Sequence, residues 1–241
     1  MYYYDVLAGG QQYHGEEALT YSFNKQLAVG SIVAIPLRHQ ITAGIVVKKA
    51  SKPTFTTKSI DSVLANDPLP AASLELLSWM KGYYPSPLGS LVSLFAPSHL
   101  LRQTKNDLPV EHPPAKLDVS GLPGLNKVQS RAVDSVRSQS TVDTILLHGD
   151  TGSGKTRVYT ELAIDQFQKN KSVMILTPEI SLTPQLVKSF DMVFKNSVVI
   201  LHSNLSESKR RKSWFKIIGT NRPLVVIGPR SALFAPLANI G

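Results

Sequence analysis

From residue 144 onward the sequence alternates between short, continuous apolar runs and longer stretches of helical texture, and this alternation limits the fold more than any other feature. The runs are TILLHG, SVMIL, SVVIL and LVVIG. Between them lie a helical stretch beginning at Lys155, one opened by Thr183 and Pro184, and one near residues 206–218. Apolar strands separated by helices of about 10 to 15 residues signal a parallel sheet with helices on both faces. The carboxyl-terminal half is therefore expected to be a doubly wound α/β domain. Sheets of this kind bind ligands in the loops at the carboxyl ends of their strands.

The first of those loops reads GDTGSGKT, so that Gly149, Gly154, Lys155 and Thr156 complete the pattern G-x-x-x-x-G-K-[ST]. It follows the apolar run 144–147 and precedes a helix, the arrangement that turns backbone N–H groups and a positive helix terminus toward phosphate oxygens. Gly149, Asp150, Thr151, Gly152, Ser153 and Gly154 would wrap the phosphates. Lys155 would contact the β and γ phosphates, and Thr156 would hold Mg²⁺ through its hydroxyl, which makes these two the candidate catalytic residues. A phosphate loop by itself does not separate kinases, transport ATPases and helicases.

The first hundred residues have a different texture. The β-branched runs 31–37 and 41–50, joined by the polar turn RHQ, read as a hairpin. A helix near residue 70, with Leu74, Leu77 and Met80 at helical spacing and Ser73 as N-cap, is expected to pack on the strands. Residues 104–124 carry four prolines and little apolar periodicity, and this marks a linker. The expected organisation is a small β-rich domain over 1–104, a proline-rich linker over 105–122, and the α/β domain over 123–241.

Bulk composition narrows the partners. Hydrophobic residues make up 42% and charged residues 18%, ordinary for a folded chain. The 26 Lys and Arg against 17 Asp and Glu give a formal charge of +9, which suits nucleic acid and is equally met by a merely soluble basic protein. With no cysteine there is no disulfide frame and no thiolate metal site. The start, MYYYDVLAGG, lacks a basic leader, and no run approaches the ~20 apolar residues of a membrane helix. A cytoplasmic protein without membrane contact is expected. The basic run ESKRRKSWFK admits two readings, a phosphate-contacting segment or a helix with its aromatic pair in the core and its charges in water.

The segments around the phosphate loop carry a resemblance. Gln129 in GLNKVQSRAV, the stretch LTPEISLTPQL, the loop ILHSNLS and the stretch VVIGPRSALFAPL stand in the order of the front-half motifs of superfamily 2 helicases, and they resemble most closely the PriA (primosomal protein N′) family of replication-restart helicases. In the amino-terminal half, VGSIVAIPLRHQITAGIVV and YYPSPLGSLVSLFAP resemble the same family. The resemblance implies a RecA-like motor lobe that binds ATP and Mg²⁺, with Gln129 reading the adenine edge. It also implies that Pro178, Glu179, Thr183 and Gln185 touch the single-stranded DNA backbone, with His202, Ser203, Arg230 and Ser231 in later DNA-facing loops. By the same resemblance the amino-terminal module binds the 3′ end of a nascent strand at a stalled fork, with Tyr21, Gly30 and Lys48 near the pocket. Primosome and single-strand-binding proteins are the implied protein partners. Taken without their order, Gln129 reads as a solvated helix residue, Thr183 with Pro184 as a plain helix start, and His202 as a loop histidine.

The chain also departs from the family pattern. Its last residue, Gly241, stands just before the strand that would end in Asp-Glu-Glu-His. The second motor lobe would follow that strand, with its γ-phosphate arginine and the family's zinc-binding cysteines, so zinc is expected only outside this chain. About twenty proline-rich residues stand where the family has a winged-helix domain, too few for a domain. The family's G-T-R-S-A reads GPRSA, so Pro229 replaces a hydroxyl and a backbone N–H. Two functions are therefore carried forward: the ATP- and DNA-binding part of a 3′ to 5′ helicase acting in replication restart, and a non-catalytic, nucleotide-responsive DNA-binding protein. A small-molecule kinase is a third, remote reading.

Overall fold

A computed structural model describes residues 1–10, 13, 15–102, 117–139, 144–178 and 183–241. The amino-terminal elements are β1 (Tyr2–Ala8), β2 (Leu19–Phe23), β3 (Ile32–Leu37), β4 (Gln40–Ala50), β5 (Lys58–Ser59), β6 (Ser62–Val63), α1 (Ala71–Tyr83) and α2 (Leu88–Phe95). Then come α3 (Lys127–Arg137), α4 (Lys155–Gln168), β7 (Val173–Leu176), α5 (Thr183–Phe194), β8 (Val198–Ile200), α6 (Glu207–Ile218) and β9 (Val225–Gly228). They form two compact units. The first is Met1–Val110 with Ser203–Asn221 and Leu233–Ala238; the second is Glu111–His202 with Arg222–Ala232 and Asn239–Gly241.

The first unit is built on a six-stranded sheet in the order β5-β2-β1-β4-β3-β6. The expected hairpin is β3 and β4, antiparallel from Ile32↔Ile45 to Leu37↔Gln40, with Arg38 at φ 53° in the two-residue turn. Its strands are apolar at nearly every position because both faces of the sheet are covered. Val33 and Ile35 point with Tyr4, Val6, Tyr21, Val46 and Ile60 into one core, while Ile32, Ala34, Ala43 and Ile45 point into another, under α1 and α2. The sheet curls on itself. Residues 58–63 pair first with β2, through Tyr21↔Lys58, and then with β3, through Ala34↔Ser62, so one short segment serves both outer strands. The Tyr21 hydroxyl adds a bond to the Pro36 carbonyl at 3.2 Å.

Helix α1 buries Leu77 and Met80 as its spacing predicts. It begins earlier than expected. Pro70 occupies the N-cap position, and Ser73 sits in the first turn with its N–H on the Pro70 carbonyl. The two alanines that open the helix are strong helix formers, so the helix extends back past the better capping side chain. Helix α6 takes its cap from Ser206, and Trp214, Phe215 and Ile218 enter the core that α1 and α2 cover. The amphipathic reading of ESKRRKSWFK therefore describes the aromatic pair, although Arg211 is also only 8% exposed.

The second unit carries a parallel sheet in the order β7-β9-β8, with Val173↔Val225 and Val198↔Val225 in register. Phe190, Phe194, Ala163 and Ile164 pack with Val225 and Ile227 in its core, and the rings of Phe190 and Phe194 lie parallel 5.7 Å apart. The apolar run 144–147 does not form the expected strand. Ile145 is exposed and Leu146 is 88% exposed. A strand exists only where a neighbour satisfies its N–H and C=O groups, and among the described residues none pairs with this run. Residues 117–122, expected as linker, dock on this core instead. Leu117 and Leu122 pack against it, the Asp118 N–H donates to the Val193 carbonyl, and Lys195 sits 2.8 Å from the Asp118 carboxylate. The hydrogen bond from Lys195, helped by those from Ser120, holds that carboxyl at a pKa of about 2.

Candidate functional site

The phosphate loop is shaped by its glycines. Gly152 and Gly154 both have φ of 83°, a left-handed conformation in which any other residue is strained. Gly154 is the N-cap of α4 and has no side chain to cap the first turn, so the open N–H groups of that turn face the loop. The Lys155 ammonium folds back on the loop, donating to the carbonyls of Gly149 at 2.5 Å and Asp150 at 2.8 Å. Asp150, Thr151, Gly152 and Ser153 are exposed, while Thr156 is half-buried one residue into the helix.

The structure brings Gln129 to this loop. Asn126 caps α3, and Gln129 closes a capping box by accepting the Asn126 N–H at 3.0 Å. Its amide nitrogen then donates to the Gly154 carbonyl at 3.4 Å, across 25 residues of sequence. Helix α3 is fastened to α4 by Arg137, which makes two 2.7 Å bonds to the Asp165 carboxylate. Arg157 adds a bond to the Pro123 carbonyl at 2.8 Å. The glutamine is therefore positioned by a helix cap at one end and by a bidentate ion pair at the other.

The DNA-facing candidates of this half follow from strand direction. Because β7, β8 and β9 are parallel and in register, the loops after Leu176, Ile200 and Gly228 leave the same edge of the sheet. Pro178 is exposed after the first, His202 half-buried with Ser203 exposed after the second, and Arg230 with Ser231 exposed after the third. Gln185 is exposed in the first turns of α5, and Thr183 opens that helix. Glu179 lies outside the described residues. Two polar atoms at this edge are buried without a hydrogen-bond partner, the Thr177 hydroxyl and His202 Nδ1. Helix α4 reaches β7 through a turn of only residues 169–172, so it runs back along the sheet and its amino end also lies at the carboxyl edge.

In the other unit, Tyr21 is 4% exposed and its phenol is pushed above its ordinary pKa, first by burial and then by Tyr13. Gly30, at φ 90°, donates to the Val46 carbonyl and accepts from Leu69, and a methyl group there would stand 2.8 Å from the Leu69 carbonyl. Lys48 does not share a face with Tyr21. Tyr21, Tyr4 and Lys49 are register partners in one row, whereas Lys48 lies opposite Asp5, in the next row. The residues that flank Tyr21 were not singled out in sequence: Lys58 is its partner on β5, and the Lys58 ammonium donates to the Arg38 carbonyl in the β3–β4 turn at 3.4 Å. Only the closure of the sheet joins these positions, and no local pattern announces it.

No helix among the described residues is long and apolar enough to cross a membrane, and no cluster of three His, Asp or Glu among them could hold a metal. Comparison with known proteins adds the rest. Residues 12–97 match the family described as 3'DNA-binding domain (3'BD), and residues 126–239 match DEAD/DEAH box helicase. The replication restart protein PriA of Helicobacter pylori is 33% identical over 227 residues, covering 92% of this chain and 34% of its own length. That of Rickettsia conorii is 33% identical over 221 residues, covering 90% and 33%. That of Chlamydia trachomatis is 30% identical, and the pairing runs over 301 residues, more than this chain contains. The chain spans about a third of the length of the curated relatives it matches. With one domain family recognised over residues 12–97, another over residues 126–239, and such likeness along nine-tenths of its residues, the chain belongs to the PriA family of replication restart proteins.

Proposed function

We propose that this chain is the DNA-end-binding and ATP-binding part of a 3′ to 5′ DNA helicase that acts in replication restart at stalled forks. The observation that carries the reading is the meeting of Gln129, Lys155 and the amino end of α4 at one loop, in a chain whose other half matches a 3'DNA-binding domain. On this reading the DNA-end module lies within residues 1–104 and the ATP-binding lobe within residues 123–241, joined by residues 105–122.

The residues fit a magnesium-bound nucleoside triphosphate. The two left-handed glycines let the backbone turn tightly at this loop, and the lysine is held by backbone carbonyls that compete weakly for a cation. Gly149, Asp150, Thr151, Gly152, Ser153 and Gly154 would surround the phosphates, with Lys155 moving from the carbonyls onto phosphate oxygens. Thr156 would hold Mg²⁺ through its hydroxyl, and Gln129 would turn its amide to the adenine edge. Bound ATP supplies the free energy of its terminal phosphoanhydride, which a helicase spends on strand movement. Pro178, Glu179, Thr183, Gln185, His202, Ser203, Arg230 and Ser231 would line the single-strand path, since loops on one sheet edge can follow one backbone. At the other end of the chain, Tyr21, Gly30 and Lys48 would lie near the strand end, with Lys58, the register partner of Tyr21, adding positive charge. Primosome and single-strand-binding proteins are the proposed protein partners, and the cytoplasm the proposed location.

The test is Lys155→Ala in this chain. Nucleotide affinity is expected to fall more than tenfold, with affinity for a forked duplex unchanged within about twofold. Equal nucleotide affinity in the two proteins refutes the cradle. A forked duplex whose log affinity is flat against log salt refutes the DNA reading, because phosphate contacts release counterions.

A further inference from the structure

Inside the amino-terminal unit the 3₁₀ turn Ser98–Arg102 packs against α6, and beyond the Arg102–Glu207 pair several polar groups of the two elements are left unmatched. Three nitrogens there are shut off from solvent without a hydrogen-bond partner: Nε2 of His99, Nε of Arg210 and Nε1 of Trp214. Arg210 and Trp214 are four residues apart on α6 and so lie on one face of it. Arg210 is also the charge that bears most strongly on His99, ahead of Glu207 and Arg211.

Buried N–H groups without acceptors are costly and rare, and two on one helix face beside an unmatched imidazole call for a common partner rich in lone pairs. The neighbouring carboxylate is Glu207, which is already engaged by Arg102 at 3.2 Å. Around the niche, Arg102 and Arg210 outnumber Glu207, so the local charge is positive. A water molecule could accept from the donors and would leave that charge unbalanced. An oxyanion does both. We infer that the niche formed by His99, Arg210 and Trp214 between the 3₁₀ turn and α6 is a binding site for a phosphate-type oxyanion.

Burial, then the positive charge of Arg210, lowers the His99 pKa to about 4, against the raising effect of Glu207. An anion in the niche reverses the sign of the local field and raises it. The inference does not depend on the helicase reading, since free phosphate and a DNA phosphodiester share the chemistry, and the experiment separates the two.

The whole chain, isotopically labelled and in phosphate-free buffer, is titrated with inorganic phosphate and, separately, with a single-stranded oligonucleotide, while the two indole N–H signals and the His99 ring are followed by NMR. With phosphate, the Trp214 signal is expected to shift saturably while Trp79 stays fixed. The His99 pKa is expected to rise by about one unit or more, corresponding to roughly tenfold tighter binding to the imidazolium. Arg210→Gln removes both effects, and Arg210→Lys keeps a weakened form. A response to free phosphate alone makes the free ion the ligand, and a response to the oligonucleotide makes a phosphodiester the ligand. A wild-type Trp214 signal that neither probe moves, or one that moves equally in Arg210→Gln, overturns the site and leaves a buried water as the partner.

Discussion

Gly154→Ala probes how far the phosphate loop is prepared for its ligand. The residue has φ of 83°, and a methyl group built on it collides with the amide nitrogen of Gln129. The left-handed conformation costs an L-residue about 1–2 kcal/mol. Displacing the glutamine amide from the Gly154 carbonyl, a long bond of 3.4 Å, removes ~0.5 kcal/mol more, the low end for a neutral hydrogen bond. The loop is exposed and can escape the strain by opening, so most of the penalty should appear in ligand affinity. A total of about 2 kcal/mol corresponds to a loss of roughly thirtyfold.

The assay is calorimetric titration with a non-hydrolysable ATP analogue and magnesium, run on wild type, Gly154→Ala, Gln129→Ala and the double variant. If the collision with Gln129 matters, the double variant loses less than the two single losses added together, because the alanine at 129 makes room for the methyl group. The residual loss is then the φ term. Affinity in Gly154→Ala within twofold of wild type refutes the claim that the left-handed cap shapes the cradle. Strict additivity refutes the steric link to Gln129 and leaves the glutamine only its helix cap.

Two further outcomes follow from the packing. Phe194, fully buried between Phe190 and Phe167, should cost about 3–5 kcal/mol on replacement by alanine, and a urea unfolding curve giving less than about 1 kcal/mol means that the aromatic core is not as tightly packed as its geometry implies. Because His99 has a folded-state pKa near 4 against an ordinary value of 6.5, the unfolded chain takes up its proton first on acidification. Stability should therefore fall as pH drops from about 6.5 to about 4 and receive no further contribution from this group below that. Melting curves in phosphate-free buffer should show a shallower decline in His99→Gln, and an identical decline contradicts the assignment.

The sequence was most legible where one short segment carries its whole reason. The glycine turn that opens α4 is such a case, because its glycines, lysine and following helix are contiguous and their geometry is local. The β3–β4 hairpin is another, set by two β-branched runs and a two-residue turn. Legibility failed where the reason is a distant partner. The run 144–147 is apolar enough to be a strand and forms none, because strand structure depends on a neighbour that no local pattern supplies. Residues 117–122 look like linker by their prolines and their lack of period, yet Leu117 and Leu122 found a core to join. Tyr21 was identified without Lys58, its register partner, since 37 residues and a closed sheet separate the two in the chain.

Helix α6 carries the same lesson one step further. Its amphipathic period correctly predicts that Trp214 and Phe215 are buried, and period alone cannot say against what. A regular α/β reading would lay the helix on the parallel sheet that flanks it in sequence. Its aromatic residues instead join Leu91, Phe95 and Leu100 in the amino-terminal unit. Polar residues of the helix go in with the apolar ones. Arg211 is 8% exposed and Arg210 has a buried nitrogen, so the surface that receives this helix must accept positive charge as well as rings. Burying a guanidinium is costly unless it is paired. At the 3₁₀ turn Arg102 meets Glu207, and His99 comes close enough to Arg210 to feel its charge, so polar groups enter the contact beside the rings. The charged half of an amphipathic helix, usually assigned to solvent, is here carried in part into the buried face together with the rings.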